Sequence, residues 1–110
     1  MSFNIDPGQL ASQMLAAAGP SLVGGGNQAS AYAAHEFQQY IEDLNHIQEL
    51  LAEKKITAAD AQYYADLQKK SMQAVLSCIK GLNALAVQNA INSAVNVLKT
   101  AVCSALGVAI

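Results

Sequence analysis

The chain has 110 residues, 53% of them hydrophobic and 13% charged, with only two prolines. That length and composition suit one domain with a single core, exclude wholesale disorder, and argue for an all-α fold over a β-sandwich or barrel. The net charge is −2 and every basic residue is lysine; without arginine's bidentate contacts to phosphate and guanine, no nucleic-acid partner is expected.

Residues 1–27 read as a loosely ordered segment with one short helix and a glycine-rich linker. Asp6-Pro7 gives a helix start, with aspartate as cap and proline at the first position. Leu10, Met14 and Ala18 make a thin apolar stripe, and Gly19-Pro20 is expected to end it. Gly24-Gly25-Gly26-Asn27 reads as a linker, since no lysine follows it as in a phosphate loop. No lysine or arginine precedes Lys54, so the basic start of a secretory signal is missing. The expected location is cytoplasmic, with membrane association or export without such a signal as the alternatives.

Residues 28–110 are expected to form a single all-helical domain, with helices over about 28–55, 58–80 and 82–108. In the first, Phe37, Tyr40, Ile41, Leu44, Ile47 and Leu51 recur at spacings of three and four, while Glu42, Asp43, Glu49 and Glu53 fall outside that stripe. Lys54 and Lys55 suit a helix C-terminus. Thr57 with Asp60 then approximates a capping box, and Ile56 is placed as its hydrophobic staple. So short a connection predicts an antiparallel helical hairpin. After it, Tyr64, Leu67, Ser71, Val75, Ile79 and Leu82 form one apolar band, and Val87, Ile91, Val95, Leu98, Val102 and Leu106 form another. The two bands point in different directions around a straight helix, so the helix either breaks near Gly81 or shows its halves to different partners. The expected architecture is a hairpin extended by a long, nearly uncharged C-terminal helix, completing an oligomeric helical bundle.

Eleven of the fourteen charged residues lie between Glu36 and Lys70, and from Ser71 onward only Lys80 and Lys99 are charged. A stretch so poor in charge asks to be covered, and the preceding chain supplies little more than one good amphipathic helix. Self-association is therefore expected, with Val87, Ile91, Val95, Leu98, Val102 and Leu106 as the interface. A hydrophobic protein partner or a membrane would serve the same stripe. Residues 91–110 are long enough to span, but Asn92, Asn96 and Lys99 interrupt them. Asn89, Asn92 and Asn96 are expected to face water. Seven alanines from Ala84 to Ala109 allow close helix approach.

No catalytic constellation stands out. His46 shares a helical face with Glu42 and Glu49, but that is the solvated face; no metal or other cofactor is expected. The serines have no histidine at helical spacing, so no enzyme is expected. The Tyr63-Tyr64 pair offers one ring to the core and one to a rim; it reads as ordinary core packing, with an interface anchor as the alternative. Cys78 and Cys103, 25 positions apart, read as two buried free thiols. The functional expectation is a small non-enzymatic assembly protein; the alternative is a membrane-active helical protein using the same C-terminal helix.

Overall fold

Residues 7–106 are described by a computed structural model, and among them there is no strand. The all-α expectation holds. Four helices follow one another: α1 (Pro7–Leu22), α2 (Gly26–Ala52), α3 (Ala58–Ser77) and α4 (Ala84–Leu106), with one 3-10 turn at Val23–Gly25. At about 1.5 Å per residue the 27-residue α2 is roughly 40 Å long, which sets the 42 Å long dimension of the molecule. Each helix packs on its neighbours in chain order, and α1 closes the ring against α4 in the most extensive contact of the fold.

The N-terminal segment differs from its expected loose order. α1 does not stop at Gly19-Pro20 but continues through Pro20 to Leu22. Proline there falls in the last turn, where it removes one intrahelical bond and little else. The extra turn brings Leu22 into line with Leu10, Met14 and Ala18, and all four are buried. The apolar gain of a fully buried leucine, about 1.5–3 kcal/mol, outweighs that bond. Asp6, the expected cap, lies outside the described residues.

The glycines that read as a linker are a packing site. A Cβ on Gly24 would lie 2.6 Å from the Gly81 carbonyl oxygen, and one on Gly81 would lie 2.3 Å from that of Gly24. The α1–α2 turn and the α3–α4 turn thus touch backbone to backbone. Gly81 also holds a φ of +97°, a conformation that side chains disfavour.

The break between α3 and α4 is decided at the same place. Cys78, Ile79 and Leu82 each donate a backbone bond three residues back, to Val75, Leu76 and Ile79, winding the chain out of the helix. The Asn83 side-chain oxygen then accepts from the Ala86 amide at 2.8 Å and starts α4.

The α2–α3 connection follows the local signals. Lys55 N–H donates to the Leu50 carbonyl and Lys54 N–H to that of Leu51, the bond pair that closes a helix through a left-handed residue. That residue is Lys54, at φ +61°. Thr57 Oγ1 accepts from the Asp60 amide and Asp60 Oδ2 from the Thr57 amide, both at 3.1 Å, so the capping box is complete. Ile56 packs on the core. A left-handed turn costs a side-chain-bearing residue roughly 1–2 kcal/mol, part of which glycine returns as unfolded-state entropy. Lys54→Gly is therefore expected to raise stability by about 0.5–1 kcal/mol, read as a higher urea midpoint; an unchanged or lower midpoint would show that Lys54 carries no strain. Beside it, Lys55 Nζ lies 2.9 Å from Glu53 Oε2 with both side chains exposed. The hydrogen bond from Lys55 holds the Glu53 carboxyl below its ordinary value and raises the ammonium in turn. What Glu53 adds is present above its unfolded value and is lost as the pH falls through the folded one. Screening by water keeps that contribution small.

Candidate interaction surface

Of the stripe expected to form the interface, Val87, Ile91, Val95 and Leu98 are all buried within this chain. They join Leu10, Met14, Ala18 and Leu22 of α1 in one core cluster. The side chains of Val102 and Leu106 lie outside the described residues. The sequence leaves this stripe without an evident partner because a helix ending at Gly19-Pro20 offers only the thin stripe of Leu10, Met14 and Ala18. Buried Ala11, Ala18, Ala90 and Ala94 instead let the two helices come close. The opposite face of α4 carries exposed Gln88, Asn89, Asn92, Asn96 and Lys99. Amides hydrate this face almost without charge, which is why so few charged residues suffice.

The second helix keeps its expected buried stripe: Phe37, Tyr40, Ile41, Leu44 and Ile47 are all buried, and Leu51 packs against them partly exposed. The third helix does not. Its buried line is Ala61, Ala65, Met72 and Leu76, continued by Ile79. Successive residues turn by 100°, so this line sits roughly a quarter turn from the band Tyr64–Leu67–Ser71–Val75. Small residues win the inward positions because alanine lets α3 lie close to α2. Tyr64, Leu67 and Val75 remain 40%, 46% and 36% exposed.

The exposed sector of α3 is free of charge between Tyr63 and Cys78 on the side toward α2: Tyr63, Tyr64, Leu67, Ser71, Val75 and Cys78. Tyr63 and Tyr64 meet edge to face, with ring centroids 5.8 Å apart. Neither ring enters the core, against the expectation. Cys78 also departs from expectation: it ends α3 as an exposed free thiol. The Cys103 side chain lies outside the described residues.

Two grooves run between α2 and α3 along this face. One, of ≈ 480 Å³, is lined by Gln28, Tyr32, Val75, Cys78, Ile79 and Lys80. The other is lined by Asp43, His46, Ile47, Leu50, Tyr64 and Gln68. Early residues of α2 therefore lie level with late residues of α3, and late with early. The α2 edge of the face is acidic: that helix holds Glu36, Glu42, Asp43 and Glu49 and no lysine. The far edge of the α3 sector holds exposed Lys70.

His46, Glu42 and Glu49 are exposed on α2. Among the described residues no group of three or more histidine, cysteine, aspartate or glutamate side chains is placed to hold a metal ion. No described helix is long and apolar enough to cross a membrane. No family model matches the chain, and neither does any curated protein or solved structure with which it was compared.

Proposed function

We propose that this chain is a small non-enzymatic assembly protein that self-associates through the outer face of α2 and α3. One observation carries the reading: Tyr63, Tyr64, Leu67 and Val75 leave apolar area in water on a sector of α3 without charge, and Tyr32 of α2 adds to it at the groove it shares with Val75 and Lys80. Single exposed apolar residues are ordinary, but a contiguous band of them rimmed by charge is the composition of a contact surface. Tyrosine suits such a place, since its ring buries area while its hydroxyl stays hydrated. The originally expected contact, the stripe on α4, is already covered by α1 in the folded chain, so the reading moves to the helix face that is not.

The strength follows from the exposed area. These side chains are roughly half exposed, so each stands to gain about 1 kcal/mol on burial, or roughly 10 kcal/mol over two copies. Association costs about 4–15 kcal/mol in lost freedom. At the low end of that cost about 6 kcal/mol remains, a weak dimer with a dissociation constant of roughly 40 micromolar.

Light scattering after size exclusion, without detergent and at protein concentrations well above roughly 40 micromolar, tests this. The wild-type chain is expected as a dimer. Leu67→Asp and Val75→Asp are each expected to give monomers with the same helical circular dichroism, because both positions are exposed within the chain. A wild-type monomer at those concentrations would sink the reading. So would a chain that is soluble only in detergent, which would assign the same face to lipid.

A further inference from the structure

We propose that the two copies dock with their two-fold axis running along α2 and α3, so that α2 of each copy lies on α3 of the other. This rests on the self-association reading above and adds its geometry. The charges select it. α2 carries four acids and no lysine, whereas α3 carries Asp60, Asp66, Lys69 and Lys70. Two ways of bringing the faces together with two-fold symmetry compete. An axis running across the helices lays the acidic α2 on its own copy, Asp43 included, which like-charge repulsion opposes. An axis running along them exchanges left for right and keeps every residue at its own level. α2 then meets the partner's α3, and all neighbouring helices in the new four-helix ring run antiparallel.

The levels also match in chemistry. Asp43 and Gln68 line one groove, so Lys70, two residues further on, sits close to the level of Asp43. After the rotation Asp43 faces the partner's Lys70. Tyr32 shares its groove with Val75 and Cys78, so it meets the partner's Val75. Leu50 shares its groove with Tyr64 and meets the partner's Tyr64. Apolar pairs thus close both ends, and a charge pair, made twice by symmetry, sets the register in the middle. Ser71 and Cys78, small and exposed on the α3 side of the face, leave room near the axis.

Cys78 reports the geometry. In the axial pairing the two Cys78 thiols lie at the same level. In the crossed pairing they lie at opposite ends, roughly 20 Å apart along the helices. The test uses the full chain carrying Cys103→Ser and a short rigid bismaleimide. Prompt formation of a covalent dimer, abolished by Cys78→Ser, is expected. In parallel, Lys70→Glu is expected to raise the dimer dissociation constant about tenfold or more, and Asp43→Lys to do the same. The double exchange is expected to return it to within about threefold of wild type. A dimer that Leu67→Asp breaks, but that neither cross-links at Cys78 nor recovers in the double exchange, overturns the axial pairing and leaves self-association standing. A wild-type monomer overturns both.

Discussion

Gly81→Ala should lower the stability of the chain by about 3–5 kcal/mol, a large part of what a domain this size possesses. Two effects add. At φ +97° a side chain is strained wherever it has space, and here it has none: its Cβ would stand 2.3 Å from the Gly24 carbonyl oxygen and 3.1 Å from the Gly24 carbonyl carbon. Backbone cannot rotate away as a flexible side chain does, so the two inter-helix turns must separate. Gly24→Ala meets the same contact from the other side, at 2.6 Å from the Gly81 oxygen, but without a left-handed backbone to strain it; about 2–3 kcal/mol is expected. The two together should cost less than their sum, because one separation relieves both. Urea unfolding followed by circular dichroism measures all three. A Gly81→Ala variant within about 1 kcal/mol of wild type would mean that the turns are not pressed together.

The second large effect is expected at Val95→Asp. Val95 is 3% exposed, in the core cluster to which all four helices contribute. A carboxylate there loses its hydration and finds only an apolar core around it, at a cost of several kcal/mol beyond the lost packing. Loss of most helical signal at room temperature is expected. Asn92→Asp, on the exposed face of the same helix, should change stability by no more than about 0.5 kcal/mol. The pair of variants separates a core stripe from a contact between copies. If Val95→Asp kept its helical signal and merely halved the mass, the α4 stripe would be an interface between chains after all. Placing these two variants beside Leu67→Asp, which should halve the mass and keep the fold, shows which helix face does which job.

Much of the local architecture was legible in the residues themselves. The stripe of α2, the capping box at Thr57 and Asp60, the turn at Lys54-Lys55, and the polar face of α4 with its asparagines all follow from spacings and interactions within five residues along the chain. Such signals are complete in the sequence because both partners are printed side by side. The break near Gly81 was visible as an alternative only. A glycine in a helix costs about 1 kcal/mol, too little to decide, and its contact with Gly24 comes from the far end of the sequence.

The candidate surface was legible in composition and misplaced in space. An apolar band on α3 and another on α4 were both present, and periodicity does not say which of two bands is inward. That choice depends on which neighbour arrives and how closely. α1 arrives at α4 because Leu22 extends its stripe past Pro20, and α2 approaches the alanine face of α3.

By itself, then, the sequence determined the helical class, the boundaries with short-range caps, and the excess of apolar surface over charge. Only the tertiary structure decided where that excess goes. It sends the Val87–Leu98 stripe inward against α1 and turns Tyr64, Leu67 and Val75 outward. The physical reason is that burial is settled by pairs of faces, and a helix presents its own face in sequence but never its partner's.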